Sequence, residues 1–580
     1  MSASWKSNMF HILRHKYTSM KKLIECVPNF SEGRNIQIIK EITDEIGKVE
    51  GVQLLDVDPG KATNRTVVTF VGEPEHVIEA AFQAIKKASE LIDMSKHTGE
   101  HPRMGATDVC PLIPISNITM DEVVVYAKKL AQRAGKELEI PFYLYESAAS
   151  KPYRKNLATI RAGEYENLPK KLEDPKWKPD YGPAVFNAKS GATAIGARDF
   201  LIAYNVNLNT TSVRRANTVA FDIREKGRVK RQGGKLSGKI LRNKEGEPLR
   251  SKGKCKSVKA IGWYIDEYGV AQISMNLTNI NDTSLHTAFE ECRKSATKNG
   301  MRVTGSEIVG LVPKRVLLDA GKHFLKLQKR SVGISEDDII HVAVKSLGLD
   351  ELSPFDPKKK IIEYLLQGDD QFPLLNKNLK EFADVTASES PAPGGGSIAA
   401  YVGALGVSLG TMVANLSAHK RGWDDKWQYF SEVAENGQEI KDRLLQLVDE
   451  DTKAFTEIIT AVRMPKGSAA EKQARKKAMN DATKNAIEVP LQVMQEALKS
   501  FPLLKLMADK GNPNSVSDAG VGALCAYTAV YGAYLNVRIN CDGFSETAYV
   551  IKTLKKAKSL LGKAEKQQAA ILKVVEKTIK

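Results

Sequence analysis

The sequence predicts a multidomain protein in which two α/β lobes, each of order βαββαβ, precede an all-α domain. Three observations predict it. The 580 residues exceed what one hydrophobic core serves, since domains mostly hold roughly 100–200 residues. Up to about residue 350, runs rich in branched residues alternate with amphipathic stretches. Beyond about residue 370 every periodic segment has a helical period.

Residues 22–27 read as the first strand and 35–49 as a helix with Ile38, Ile39, Ile42, Ile46 and Val49 on one stripe. Strands follow at 52–57 and 65–71, a helix at 75–92, a strand at 107–113, a helix at 120–134 and a strand at 141–145. The order βαββαβ is the ferredoxin-like split unit, extended at its end. A second round comprises strand 200–208, helix 211–224, strands 258–265 and 269–277, helix 284–299 and strand 301–312. Two such lobes suggest a cleft between them. Pro354, Pro357, the lysines 358–360, Asp369, Asp370 and Pro373 then break the pattern. Segments 379–385, 397–416, 429–462, 469–500 and 515–540 are all helical in period. The boundaries are 1–19 (an N-terminal extension or tag), 20–198 and 199–348 (the lobes), 349–376 (a linker) and 377–580 (the helical domain).

The net charge of +17 is concentrated. Residues 224–259 hold fourteen Lys and Arg against three Glu, and 550–580 hold nine Lys against two Glu. These stretches read either as a local polyanion-binding surface or as a solvated loop and helix face. Residues 224–259 contain no Phe, Tyr or Trp, so they lack the stacking platforms of a nucleic-acid binder. Six dispersed cysteines without a C-x-x-C read as free thiols in a reducing compartment, hence a cytoplasmic protein without a zinc site. Residues 1–19 lack the apolar core of a secretion signal. Residues 398–416 are uncharged, but Gly406, Gly410 and several polar residues suit a tightly packed core helix, so no membrane role is expected.

Candidate chemistry concentrates in three loops of the first lobe. His97 and His101 lie with Glu100, Arg103 and two glycines between a helix and a strand, where a rigid scaffold presents catalytic groups. His101 suits a general base and Arg103 a carboxylate partner. Asn29 and Ser31 follow the first strand and open a helix, whose free N–H groups suit an anion. Asp58 ends the next strand, and Asn64 and Arg65 begin the one after it. Helix capping and turn chemistry are the competing reading for each taken alone. In the helical domain Asp451 falls on the apolar stripe of Leu444 and Phe455, whereas Asp449 and Glu450 fall off it and read as solvated. A carboxylate on a buried face needs a partner, a raised pKa or a function. Gly394, Gly395, Gly396 and Ser397 open a helix, either as a linker or as a place where backbone approaches a flat or anionic ligand.

Longer runs then resemble a known family. CVPNFSEGRN (26–35), DVDPGKATNRTVVTFVGEPE (56–75), HTGEHPRMGATDVCP (97–111), RAGEYENLPKKL (161–172), DYGP (180–183), GATAIGARDFLIAYNVNL (191–208) and KAIGWY (259–264) resemble the transferase half of the formimidoyltransferase-cyclodeaminase family. SPAPGGGS (390–397), LVDEDTKAF (447–455) and GAYLNVRIN (532–540) resemble its cyclodeaminase half. The resemblance implies transfer of a formimino group from N-formimidoyl-L-glutamate to N5 of tetrahydrofolate. Cyclisation to 5,10-methenyltetrahydrofolate and ammonia follows, late in histidine breakdown. It implies His101 as proton acceptor and Asp451 as catalytic carboxylate. Folate contacts are implied at Gly182, Pro183, Lys189, Ser190 and Gly191, and at Gly253, Lys254 and Cys255. It also implies a homo-oligomer, an octameric ring in the family, handling polyglutamylated tetrahydrofolate without a metal. The basic 224–259 insertion departs from the animal form in length and charge, and a role in holding glutamate tails follows as a hypothesis.

Two rival readings stand beside this one. The donor can be a formyl rather than a formimino compound, with the helical half a methenyltetrahydrofolate cyclohydrolase. From another class, the chain can be a non-enzymatic polyanion- or RNA-binding protein.

Overall fold

The computed structural model describes residues 22–61, 63–99, 101–234, 238–367, 372–390 and 392–579. The N-terminal extension and Glu100, singled out above, lie outside the described residues. The chain forms two compact units, Met1–Val316 with Leu347–Leu365, and Leu317–Ser346 with Leu366–Lys580.

In the first unit β1 (Leu23–Cys26) and its continuation β2 (Asn29–Phe30) lead to α1 (Ile36–Gly47). The helix starts because the Asn35 side chain accepts from the backbone N–H groups of Gln37 and Ile38. β3 (Val52–Gly60), β4 (Arg65–Gly72), α2 (Pro74–Leu91) and β5 (Thr107–Ser116) follow. β4 pairs antiparallel with β3 and β1, and β1 pairs with β5, giving the spatial order β3-β4-β1-β5 of a split unit. α3 (Met120–Glu137) begins at a capping box of Thr119 and Glu122. β6 (Phe142–Glu146) and β7 (Thr193–Ala197) then extend the sheet in parallel as β5-β7-β6. Period-two alternation divides the faces. Cys110, Leu112, Phe142 and Leu144 pack under the helices, while Val109, Tyr143 and Tyr145 meet Ile160, Leu168 and Leu172 from the β6–β7 connection.

The second lobe repeats the order. β8 (Ile202–Leu208) and α4 (Val213–Ile223) precede a small antiparallel pair, β9 (Arg228–Val229) and β10 (Arg250–Ser251), which the basic insertion contributes. β11 (Val258–Ile265), β12 (Val270–Leu277), α5 (Leu285–Lys298) and β13 (Val303–Val309) complete a four-stranded sheet of order β11-β12-β8-β13.

The division between units differs from the expected linker at 349–376. α6 (Lys314–Leu327) and α7 (Glu336–Leu347) were assigned to the second lobe, yet residues 317–346 group with the helical unit. Leu325, Val332 and Ile339 form a small core of their own with Leu318, Ile334 and Val342, and the loop between the two helices contacts the helical unit. Val332 N–H donates to Ser431 Oγ at 2.9 Å, and Gly333 lies so close to Ala434 that a Cβ has no room there. Residues 347–365 return to the first unit. Ile361 bridges to Val312, Gln53 donates to the Leu365 carbonyl at 3.0 Å, and Asn207 donates to Glu351 at 2.5 Å.

The rest of the helical unit comprises α8 (Leu379–Thr386), α9 (Gly395–Ala418), α10 (Trp427–Arg463), α11 (Ala469–Lys510), α12 (Val516–Cys541) and α13 (Thr547–Thr578). α9 is long and apolar enough to cross a membrane, but 61% of its most apolar window is buried among the other helices. Its glycines allow that packing. Gly406 sits on the backbone of Gly522, and Gly410 on Leu503 and Leu504.

Candidate active sites

The first site forms where the ends of β2, β4 and β5 meet the 97–104 loop. Asp108 is fully buried on β5, where an unpaired carboxylate costs several kcal/mol. Two guanidiniums hold it, Arg65 at 2.5 Å and Arg161 at 2.7 Å, and the Met104 N–H donates to its other oxygen at 3.0 Å. Burial alone would raise the Asp108 carboxyl, but Arg161 and Arg65 hold it below its ordinary value. Asn29 accepts from Arg65 Nε at 3.0 Å, which places that loop residue in the same network.

His101 stands beside this network. Burial, reinforced by Arg65 and Arg161, pushes its imidazole down to about 3, with Asp108 and the Pro102 carbonyl opposing. Its Nδ1 lies 2.8 Å from the Pro102 carbonyl oxygen. A carbonyl only accepts, so Nδ1 carries the proton and Nε2 is left as the basic atom. The result is an imidazole kept neutral, with Nε2 unprotonated.

Arg103 does something other than expected. Its guanidinium is held by Glu166 at 2.6 Å, by Glu164 at 3.1 Å and, through Nε, by His97 at 3.3 Å. Its donors are thus engaged by the protein's own groups, two of them the exposed carboxylates of Glu164 and Glu166. Ser31 and Asn64 also tie loops together. Ser31 Oγ donates to the Gly105 carbonyl at 2.8 Å, and Asn64 accepts from Gly33 N–H and donates to the Thr98 carbonyl. Asn64 holds φ +46° to do so. Asp58 is half-buried on β3, opposite Val67.

The stretch containing Gly182, Pro183, Lys189, Ser190 and Gly191 ends against the His101 loop. Ala106 N–H donates to the Ser190 carbonyl at 2.8 Å, and Gly105 bridges to Gly191. Lys189 Nζ donates to the Glu90 carbonyl at 2.7 Å. A side chain at Gly191, whose φ is +65°, would strike the Met104 carbonyl, so this close approach requires glycine. Gly253, Lys254 and Cys255 behave otherwise. Their N–H groups run along the end of α4, Lys254 donating to Asp222 and Cys255 to Ile223. Cys255 is buried, and burial pushes its thiol up to about 11. Its side chain faces core and not solvent.

In the helical unit the glycine-rich turn and Asp451 come together. Ser397 Oγ donates to Asp451 Oδ2 at 3.0 Å and lies 3.3 Å from Thr452 Oγ1. A Cβ on Gly396 would land inside the Asp451 carboxylate, so Gly396 makes room for it. Gly395 faces Asn536, and Gly394 occupies the N-cap of α9. Burial raises the Asp451 carboxyl, against the lowering hydrogen bonds from Ser397. Asp449 and Glu450 are not solvated as expected. Asp449 is buried and accepts from Leu374 and Leu375 N–H at 2.9 and 3.3 Å, and Glu450 pairs with Arg443 at 2.6 Å. α10 is covered on more than one side, so a single-stripe reading undercounts its buried positions.

Sequence reasoning gave no role to Asp108 or Arg161. Both lie within motifs quoted above, but 53 residues separate them, and no spacing rule pairs residues so far apart. The usable signal was an acid inside the apolar run of β5.

The α/β unit thus holds an imidazole kept neutral beside an arginine pair, and the helical unit a half-buried carboxylate at a glycine-rich helix start, groups suited to acid–base chemistry. Residues 23–198 match the family described as "Formiminotransferase domain, N-terminal subdomain", 203–367 match "Formiminotransferase domain", and 378–559 match "Formiminotransferase-cyclodeaminase". The formimidoyltransferase-cyclodeaminase of Rattus norvegicus is 43% identical over 96% of this chain and 99% of its own length. Two single-function relatives cover the parts. The glutamate formimidoyltransferase of Streptococcus pyogenes is 42% identical over 53% of this chain and 95% of its own. The methenyltetrahydrofolate cyclohydrolase of Methylorubrum extorquens is 33% identical over 35% of this chain and 98% of its own. The chain belongs to the formimidoyltransferase-cyclodeaminase family.

Proposed function

We infer that the protein is a bifunctional folate enzyme of histidine degradation, moving a formimino group from N-formimidoyl-L-glutamate to tetrahydrofolate and then closing the ring to 5,10-methenyltetrahydrofolate. The observation that carries the reading is the coexistence of two acid–base centres, His101 in the first unit and Asp451 in the second. In the transfer, His101 Nε2 takes the N5 proton as N5 attacks the amidine carbon. The C–N bond to glutamate then breaks, and the imidazolium returns that proton to the departing amine. In the cyclisation, N10 attacks the formimidoyl carbon and Asp451 carries the N10 proton to the imine nitrogen. A second proton, delivered through the same carboxyl, lets ammonia leave as the methenyl cation forms. A raised pKa suits a carboxyl that must give protons as well as take them.

Finer parts of the reading have their own support. Polyglutamylated folate suits the basic insertion, where Arg228 pairs with Asp222 at 2.8 Å while Arg224 and Arg250 add charge nearby. Affinity for long glutamate tails should fall steeply with salt, and equal affinity for mono- and polyglutamate overturns this part. A homo-oligomer suits the exposed apolar side chains on α9 (Leu405, Met412, Leu416) and α12 (Val521, Leu524, Leu535); mass measurement in solution checks it. A cytoplasmic location suits six free thiols.

The cyclohydrolase relative favours one rival, a formyl donor. Supplying tetrahydrofolate with N-formimidoyl- or N-formyl-L-glutamate separates the two. Methenyl absorbance, glutamate and ammonia should all appear with the formimino donor. Faster turnover of the formyl donor, without ammonia, overturns the reading.

A further inference from the structure

Lys171, in the short helix Leu168–Glu173 of the β6–β7 connection, is 8% exposed and forms no ion pair among the described residues. Burial lowers its ammonium to about 8, since a cation without an acid partner is costly in such surroundings. Two carbonyl oxygens and a ring offset that cost. Nζ donates to the Ile160 carbonyl and, at 2.8 Å, to the Ala162 carbonyl. It also lies 4.4 Å from the centre of the Trp177 ring. Trp177 is itself fixed. The Tyr143 hydroxyl donates to the Trp177 carbonyl at 2.6 Å, and the rings of Tyr143 and Tyr153 meet the indole edge-on.

The residue between those two carbonyls is Arg161. It caps the helical turn Leu157–Ile160, and the last carbonyls of such a turn have no partner within it. Among the described residues no backbone N–H reaches the Ile160 or the Ala162 carbonyl, so Lys171 ties this end of the turn down. The Arg161 side chain has little else to hold it. Its Nη2 meets Asp108 at 2.7 Å, while its Nε is buried without a partner. A long side chain with one polar anchor keeps its place through its backbone. Asp108 and Arg65 complete the charged group around His101.

We propose that Lys171 is a positioning residue of the transferase centre: its ammonium holds the two carbonyls that flank Arg161, and so fixes the Arg161 guanidinium against Asp108 beside His101. The inference rests on the reading of His101 as the transfer base. An apolar side chain would fill the same space without a buried charge, and the two carbonyls are what the ammonium serves. A role confined to stapling the loop predicts a loss of stability with His101 unmoved.

The test is an NMR titration of His101 in the full chain labelled at its nine histidine rings, the His101 signal being the one that His101→Gln removes. The charged groups facing the imidazole are Arg65 on β4, Asp108 on β5 and Arg161. Freeing Arg161 takes positive charge away, so the ring gains a proton more easily. Lys171→Met keeps the length and loses the donors. It should raise the protonated fraction at pH 4 from about one tenth toward about one half, the tenfold change in acid constant that one pH unit represents. Arg161→Gln should shift His101 in the same sense and at least as far, and Lys171→Met added to it should change nothing more. Lys171→Arg, which restores two donors, should return His101 to its original value. If Lys171→Met does not fold, Lys171→Gln, too short to reach both carbonyls, takes its place. An unmoved His101 in the folded variant, or a further rise in the double variant, overturns the proposal. The titration needs no turnover, so failure of the transfer reading shows separately, as absence of glutamate release by the unchanged protein.

Discussion

The two centres answer the same physical force with opposite shifts. In the α/β unit burial drives the His101 imidazole down, and in the helical unit it drives the Asp451 carboxyl up. Both shifts favour the neutral form, because a low-dielectric surrounding penalises charge of either sign. The surroundings then differ. His101 stands next to two arginines sharing one aspartate, so a net positive charge reinforces burial. Among the described residues, the hydrogen bonds that lower Asp451 come from Ser397 at the start of α9. A scaffold can thus keep a histidine unprotonated by adding cations, and raise an aspartate's pKa by burying it with few partners.

The largest effects should come from removing each group. His101→Ala should lower transfer by about 10²–10⁴-fold, the usual worth of a positioned acid or base, while cyclisation of supplied 5-formimidoyltetrahydrofolate is unaffected. Assays of each half-reaction check this, and loss of both in a folded variant breaks the comparison. Gly396→Ala should come next. Its methyl group enters the space of the Asp451 carboxylate, so cyclisation should drop with transfer intact. Equal cyclisation rates would show that the carboxylate need not sit where it does.

A subtler contrast concerns pH. With His101 neutral down to about 3, the acid limb of transfer kcat/KM should lie well below the ordinary imidazole range near 6.5. Arg161→Gln removes a cation that lowers this group, so the limb should move upward, and Arg161→Lys should largely restore it. An unmoved limb in Arg161→Gln would detach the arginines from the base.

The smallest effect tests burial without chemistry. Glu25 is buried on β1, and burial raises its carboxyl to about 7 from an ordinary 4.5, with Arg198 pulling down and Glu363 pushing up. Between those values the folded state binds more protons than the unfolded chain, so this residue's share of stability is present below 4.5 and lost as pH rises toward 7. Glu25→Gln should therefore raise Tm at pH 8 and leave it little changed at pH 4.

Much of this architecture was legible in the sequence. Two βαββαβ rounds and the helical half follow from residue period, and β5 emerged within three residues of its expected end. Residues 317–346, read with the second lobe, also contact helices distant in sequence, as Val332 does Ser431, and no local period records such contacts. For the sites, single residues in conspicuous settings stood out, such as His101 between glycines; the stripe that drew attention to Asp451 is only partly buried, since Phe455 is 39% exposed. What was not readable was partnership. Arg103 looked free until Glu164 and Glu166 arrived from a loop some sixty residues away to claim it. Arg65, by contrast, gained Asp108 and Arg161.

The central claim is that transfer and cyclisation run at separate centres, and Asp451→Asn measured for both products of the coupled reaction tests it most directly. With N-formimidoyl-L-glutamate and tetrahydrofolate, glutamate should appear at the rate of the unchanged protein while ammonia and methenyl absorbance fail to follow. If glutamate release falls in step with ammonia in a correctly folded Asp451→Asn protein, the two centres are not separate.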